Sequence, residues 1–268
     1  MPYKLVALDI DGTLYNSDKA ISPRTRQALI DLQQRGVIVA LASGRPVSGI
    51  EPIAEALDLE KHHGLIVAYN GGRVIDATSR TVLYEQTLPL DLSKRLLRHL
   101  AALPVTPIVD DGRDIVTDNP DGFHIRFECA MVNLGLRVVG NLAEDLDFEP
   151  VKILIAAPAE VLGPTIPAIE APFAGELGFV LSTPYYLEAL LPEVSKADGL
   201  KVVCDRLGIA PSEVMAFGDA PNDLTMIEFA GLGVAMGNAC PELKAAANTV
   251  TLTNDDDGIA HMLAQHFG

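Results

Sequence analysis

Leu5 to Leu14, "LVALDIDGTL", runs four apolar residues into an acid, an apolar residue, a second acid, a glycine and a threonine. The nearly continuous apolar run from Lys4 to Ile10, halted at once by Gly12, predicts a strand buried on both faces, the kind found in parallel sheets. Asp9 and Asp11 then stand at the C-terminal end of that strand. Carboxylates avoid buried places unless something pairs them. The partner of these two acids therefore decides what the segment is for.

Working outward, "SPRTRQALIDLQQRG" reads as a helix. Ser22 is its N-cap with Pro23 in the first helical position, Thr25, Ala28, Leu29 and Leu32 share one face, and Gly36 ends it. A second strand, Val37 to Ala42, closes on Ser43-Gly44-Arg45-Pro46, so the first forty-odd residues form a strand, helix, strand unit and imply a parallel sheet. A third strand, Gly64 to Ala68, leads to Asn70-Gly71-Gly72. Arg73–Ile75 and Thr81–Tyr84 then read as a hairpin about turn-forming residues.

From about Leu88 the pattern changes. A helix (Leu90–Leu103) is followed by short strands at Val105–Val109, Ile115–Thr117 and Phe123–Phe127, a strand at Val151–Ala156, a helix from Ala159, and strands at Gly178–Leu181 and Tyr186–Leu191. This predicts helices on one face of an antiparallel or mixed sheet. After Pro192 the parallel pattern returns: "SKADGLKVVCDRLG" puts Leu200, Val203, Cys204 and Leu207 on one helical face, Val214–Phe217 is a strand ending at Gly218-Asp219, "NDLTMIEFAG" is a helix and Gly233–Met236 a short strand. The expected architecture is a Rossmann-like α/β core from residues 1–86 and 191–268 with an α+β cap, 87–190, inserted into it.

Composition narrows the functional classes. With 36 acidic against 20 basic residues and a net charge of −16, the chain has no general field to collect nucleic acid or anionic lipid. At 49% hydrophobic and 21% charged it reads as globular. Cys129, Cys204 and Cys240 are odd in number, widely spaced and without a CxxC pair, which suggests neither a disulfide framework nor a zinc site. No targeting segment or apolar run of membrane-spanning length is evident, so a cytoplasmic setting is expected.

Asp9 with Asp11, Ser43, and Asp219 with Asp223 each lie just past the C-terminal end of a predicted parallel strand. In open parallel sheets those ends form the ligand crevice, so these residues should meet in space. Like-charge pairs about 4 Å apart at an effective dielectric of about 20 repel by roughly 4 kcal/mol. A hard divalent cation relieves that, and an all-oxygen donor set suits Mg2+ sharing its shell with a substrate phosphate. Lys196 adds a cation in the first turn of its helix, after Ser195 as N-cap and before Asp198 in a capping-box position. There it opposes the helix dipole by about 0.3 to 1 kcal/mol, which calls for an anion nearby. Ser43 and the Gly44 amide, at a strand-to-helix turn, suit phosphate oxygens.

These residues resemble the haloacid dehalogenase superfamily of aspartate-nucleophile phosphatases, and within it the Cof-type hydrolases. "DIDGTL", "LASGR", "SKADGLK" and "GDAPNDLTMI" are similar to its four motifs in order. "YNGG" resembles its Asn-Gly-Ala turn, and "MGNACPELKAAANTVTLTNDDDGIAHML" its tail. The resemblance implies that Asp9 is the nucleophile forming an aspartyl-phosphate, that Asp11 is the acid for the leaving alcohol and then the base for water, and that Lys196 neutralises charge on Asp9 while binding phosphate. Gly12, Thr13, Ser43, Gly44, Arg45 and Asn222 would contact phosphate or substrate. Mg2+ would be held by Asp9, the Asp11 carbonyl and Asp219, with Asp223 as a further ligand or the residue orienting Lys196. The implied substrate is a small phosphorylated metabolite, a sugar phosphate among the candidates, with no nucleic acid or membrane partner. A phosphotransferase, a sugar phosphomutase or an inactive Mg2+- and phosphate-binding regulator would share these motifs. Ala197 stands where the family has glycine after the lysine, and glycine comes at Gly199. Gly199 inside a helix costs about 1 kcal/mol relative to alanine, so close packing is expected there.

Plainer readings compete for several of these residues. Asp219 and Asp223 could simply cap the helix beginning near Asn222. "TNDDDG", Thr253–Gly258, has calcium-loop composition without the spacing of an EF-hand and is read as a turn before the last helix. His62 and His63 are read as solvated loop residues, and His124, Arg126 and Glu128 as the polar face of a half-buried strand.

Overall fold

The computed structural model describes residues 3–192 and 194–268. β1 (Leu5–Leu8) is fully buried, as its apolar run requires. α1 (Pro23–Gln34) begins on Ser22, whose side chain accepts from the Thr25 N–H. β2 (Ile38–Ala42), α2 (Val47–Ala56), β3 (Leu65–Ala68), β4 (Arg73–Asp76) and β5 (Val82–Glu85) follow. The next segment contains α3 (Leu90–Leu100), β6 (Thr106–Asp110), β7 (Asp114–Thr117), α4 (Ile125–Val132), β8 (Gly135–Val138), α5 (Leu142–Asp145), β9 (Ile153–Ala156), α6 (Ala159–Glu170), β10 (Gly178–Thr183) and β11 (Tyr186–Leu190). The chain ends with α7 (Lys196–Leu207), β12 (Val214–Gly218), α8 (Leu224–Phe229), β13 (Leu232–Ala235), α9 (Pro241–Ala246), β14 (Thr249–Val250) and α10 (Gly258–Phe267).

The chain divides into two compact units, Met1–Tyr84 with Ser195–Gly268, and Glu85–Val194. The sequence pattern put these crossings at 86/87 and 190/191. In the first unit eight strands run in the order β14-β13-β12-β1-β2-β3-β4-β5. The pairings from β14 through β3 are parallel and β3–β4 is antiparallel. This is the open parallel sheet implied by the β1-α1-β2 unit, with β12, from far along the chain, hydrogen-bonded beside β1 at Leu5↔Val214 and Leu8↔Phe217.

The second unit has one mixed sheet, β10-β11-β9-β6-β7-β8, antiparallel except for β7–β8. Alternation divides its strand residues between two cores. Val109, Val116, Ile153, Ile155 and Leu187 pack with Leu96, Leu97 and Leu100 of α3, Leu142 of α5 and Leu162 of α6. Ile108, Ile115, Leu154, Ala156 and Tyr186 face the other way and meet Ile125 and Val132 of α4. Helices therefore cover both faces, not one.

α4 corrects a second expectation. Phe123–Phe127 is not a strand: His124, at φ 64°, turns the chain into a helix that starts at Ile125. Ile125, Cys129 and Val132 fall on one helical face against the sheet. Five residues of alternation were too short a window to separate the two periods. His124 consequently does not face solvent. Its ring stacks on Phe123 at 3.9 Å and its Nδ1 lies 3.1 Å from the Tyr186 hydroxyl, which donates to Glu128 at 2.9 Å. Arg126 alone of the three is exposed.

"TNDDDG" is a turn, as its incomplete calcium-loop spacing implied. Asn254–Asp256 form one 3-10 turn ahead of α10. Its carboxylates are taken by protein donors: Asp255 accepts from the Ser17 N–H and hydroxyl at 2.8 and 2.7 Å, and Asp257 from Ser22 and Thr25.

Gly199 explains its own presence in α7. A methyl group there would lie 2.9 Å from the Gly71 carbonyl oxygen and 3.1 Å from Val67 Cγ1. Alanine is the better helix former by about 1 kcal/mol, yet overpacking costs about 1–3 kcal/mol. Gly199→Ala is therefore expected to lower the urea midpoint without changing the slope of the transition; an unchanged or raised midpoint would mean that α7 stands off from β3.

Candidate active site

Asp9, Ser43 and Asp219 each immediately follow the last residue of a strand, β1, β2 and β12 respectively. Those three strands are parallel neighbours, so the register that joins them also brings these side chains to one sheet edge. The turns are tied together by main-chain bonds: Asp9 N–H to Phe217 O at 3.1 Å, Ser43 N–H to Val67 O at 2.9 Å, and Asn70 N–H to Ser43 O at 2.9 Å. Carboxylate oxygens of Asp9, Asp219 and Asp223 all lie within 4.8 Å of one another. The partner that Asp9 requires is Lys196.

Lys196 is the first residue of α7, placed there by Ser195 as N-cap, whose side chain accepts from the Asp198 N–H. It is fully buried, and its ammonium donates to Asp9 Oδ1 and to Asp223 Oδ1, both at 2.6 Å. Asp223 is equally buried and uses its other oxygen to accept from the Asp219 and Ala220 N–H groups at 2.9 and 3.1 Å. It is thus both the capping residue of its turn and the second anchor of Lys196.

Burial, aided by the neighbouring Asp223 charge, pushes Asp9 up to about 8 in spite of Lys196. Burial likewise lifts Asp219 to about 6, against the Thr13 hydroxyl that donates to it at 2.9 Å. Burial would lower Lys196, but Asp223 and Asp9 outweigh it and raise it. Three carboxylates against one ammonium leave an excess of negative charge in a buried place, the condition a hard dication satisfies. The donor set fits Mg2+: all oxygen, clustered, and bordered by Gly12, where a Cβ would come 2.3 Å from Asp219 Oδ2 and block the approach. Gly12 also has φ +87°, and its carbonyl accepts from Asn238 Nδ2 at 2.7 Å.

Asp11 is apart from this cluster. Its side chain is 43% exposed and is gripped by Arg45, Nε to Oδ2 at 2.9 Å and Nη2 to Oδ1 at 2.7 Å, with Lys19 Nζ at 3.4 Å. Burial tends to raise its pKa, but Arg45 and then Lys19 prevail and hold it below the usual carboxylate range. Arg45, expected on phosphate or substrate, donates to both Asp11 oxygens here. Ser43 is buried and its Oγ accepts from the Arg45 N–H at 3.2 Å. Gly44 and Asn222 both adjoin Asn70: a Cβ on Gly44 would lie 3.2 Å from the Asn70 amide, and Asn222 Nδ2 donates to Asn70 Oδ1 at 3.3 Å.

Asn70 and Asn238 carry no role in the sequence reading, although both join the site's turns. For Asn70 the signal is the Asn-Gly-Gly turn itself, since Asn70 sits at φ 53°, where asparagine is tolerated better than most side chains. Asn238 has no comparable local signature; its partner Gly12 is 226 positions away.

The description "haloacid dehalogenase-like hydrolase" matches residues 6–263. A crystal structure of a haloacid dehalogenase-like hydrolase from Bacteroides thetaiotaomicron superposes with a TM-score of 0.93 at 38% identity, covering 99% of this chain and 100% of that one. The 5-amino-6-(5-phospho-D-ribitylamino)uracil phosphatase YitU of Bacillus subtilis is 33% identical over 276 residues, 99% of this chain and 98% of its own. YcsE of the same organism, of the same name otherwise, is 31% identical across 96% of this chain and 93% of its own. The chain belongs to the haloacid dehalogenase-like hydrolases and is a phosphatase of that family. Among the described residues no helix is long and apolar enough to cross a membrane.

Removing the cation from the centre leaves two buried carboxylates unpaired, which costs about 3–5 kcal/mol. Lys196→Met should show that loss in chemical denaturation, whereas Lys61→Met, removing a pair in solvent, should leave the midpoint nearly unchanged. Equal effects from the two would contradict the buried geometry.

Proposed function

We propose that the protein is a Mg2+-dependent phosphatase of small phosphorylated metabolites that works through an aspartyl-phosphate on Asp9. The observation that carries this reading is the Asp9 carboxylate held by a buried ammonium at 2.6 Å beside Asp219 and Asp223. The Lys196 ammonium favours the ionised form of Asp9, and a carboxylate held in one orientation is a well-placed nucleophile.

In the first half-reaction an Asp9 oxygen forms a bond to phosphorus as the bond from phosphorus to the leaving oxygen breaks, and Asp11 gives that oxygen a proton. In the second, Asp11 takes a proton from water while the water oxygen bonds to phosphorus. The Asp9–phosphorus bond breaks, inorganic phosphate leaves and the Asp9 carboxylate returns. Ser43, the Gly44 amide and Lys196 orient the phosphate oxygens, with Thr13 holding Asp219 in place and Asn222 at the edge. Mg2+, held by Asp9, Asp219, the Asp11 carbonyl and Asp223 directly or through water, would offset the charge of carboxylates and phosphate together.

The second unit is assigned the choice of substrate, since the chemistry is contained in the first. A small metabolite is favoured because YitU and YcsE are named for a small phosphate ester. A cytoplasmic setting accords with Cys129, Cys204 and Cys240 being free.

A panel of phosphorylated metabolites scored for inorganic phosphate tests the reading. Activity is expected with Mg2+ and should vanish with EDTA, and isomerised substrate without phosphate would favour a mutase. Asp9→Asn should abolish phosphate release with the fold intact by circular dichroism; substantial residual turnover would remove Asp9 as the nucleophile. Mg2+ at 100 times its Kd should stabilise the parent by about 2.7 kcal/mol, a rise in Tm that Gly12→Ala should lose.

A further inference from the structure

We propose that Asn238 is a positioning residue of the Mg2+ centre: it holds the Gly12 turn against the Asp219 turn, so that Thr13 keeps the Asp219 carboxylate in one orientation. This rests on the Mg2+-dependent reading above and extends it to the tail "MGNACPELKAAANTVTLTNDDDG", Met236–Gly258, to which the phosphatase chemistry gives no role.

Thr13 and Asp219 come from turns 206 positions apart, and the Thr13 hydroxyl donates to Asp219 Oδ1 at 2.9 Å. A hydroxyl on so short a side chain reaches that oxygen only while its own main chain stays in place. The Gly12–Thr13 peptide supplies that main chain. Gly12, at φ +87°, lies so near Asp219 that a Cβ would come 2.3 Å from Oδ2, and its carbonyl accepts from Asn238 Nδ2 at 2.7 Å. Because the peptide unit is planar, holding its carbonyl also sets where Thr13 begins.

The turn that carries Asn238 is braced for this. Two residues on, the Cys240 N–H donates to the Asp219 carbonyl at 2.9 Å, so one short turn after β13 holds the backbones of both Gly12 and Asp219. That turn is itself tied down by the Gly237 N–H to Leu252 O at 3.0 Å and by Lys244 Nζ to Gly237 O at 2.6 Å. Asn238 Oδ1 accepts from the Asn254 N–H at 3.0 Å, and Asn254 Nδ2 donates to the Tyr15 carbonyl at 2.8 Å. Two asparagines of the tail, bonded to each other, therefore grip the loop after β1 at two of its carbonyls. An amide suits the place, since one planar group gives a donor to the Gly12 carbonyl and an acceptor to the Asn254 N–H. Asn238 is exposed, where water competes for both bonds, so they set geometry more than they hold the fold.

A Tm series over Mg2+ concentration gives a Kd for each variant whatever its Tm without metal. Asn238→Ala is expected to raise the Mg2+ Kd about tenfold, the size of effect that groups orienting a metal ligand commonly have. Asn238→Asp keeps the acceptor for Asn254 but loses the donor to Gly12, and it should raise Kd as well. A lower Kd in Asn238→Asp would make added charge the governing effect and overturn the proposal. Asn248→Ala removes the acceptor of the Gly233 N–H elsewhere in the same tail and should leave Kd unchanged; a rise equal to that of Asn238→Ala overturns the proposal in favour of a general loosening. Thr13→Val should raise Kd, and Asn238→Ala should add little in that background, whereas fully additive effects would mean that Asn238 does not act through Thr13. A parent that binds no Mg2+ removes the Mg2+ reading and this assignment with it. A parent that binds Mg2+ and an Asn238→Ala variant that binds it equally well remove the assignment alone.

Discussion

The buried ammonium of Lys196 between Asp9 and Asp223 is the interaction on which the site depends. Moving such charges out of water costs several kcal/mol per ion, and the first turn of a helix is the wrong end for a cation. Two contacts of 2.6 Å to carboxylates that are themselves buried offset both penalties. Because Asp223 also caps the turn after β12, the ammonium joins the strand edge of β1 to the start of α8 and to α7 in one network. A cation here is therefore a structural tie as well as a source of positive charge for a phosphate.

A second consequence is that the acids do not act as one group. Lys196 serves the buried set and Arg45 serves Asp11, which is more exposed. Asp9 and Asp11 are two residues apart on the chain, yet burial pushes the first up to about 8 while Arg45 holds the second low. Acids two residues apart thus stand in opposite environments, one buried against an ammonium and the other forked by a guanidinium. The residue between them, Ile10, is fully buried, and β1 ends at Leu8, so the two acids stand on the turn beyond the strand and not on one strand face.

Much of this was legible in the chain itself. The buried β1, the Ser22 cap with Pro23, the Ser195–Asp198 capping box and the close packing at Gly199 all follow from local rules, and the motif order identifies the family. What failed was also local in origin. Phe123–Phe127 alternates like a strand, but its seven-residue spacing through Val132 matches a helix that only the sheet face beneath it could select. For the same reason the sequence placed all helices on one face of the second sheet, since nothing in a short amphipathic segment says which face will receive it.

The amino-acid sequence determined which residue types stand at the ends of the parallel strands, because hydrophobic run length and turn chemistry are encoded within a few positions. Only the tertiary structure decided how they pair. The parallel register of β12, β1 and β2 brings Asp219, Asp9 and Ser43 to one edge, and the entry angle of α7 drops Lys196 between the acids. The Arg45 side chain likewise reaches Asp11, at 2.7 and 2.9 Å, across 34 residues of chain. Electrostatic pairing depends on separation in space, and spacing along a chain does not report it.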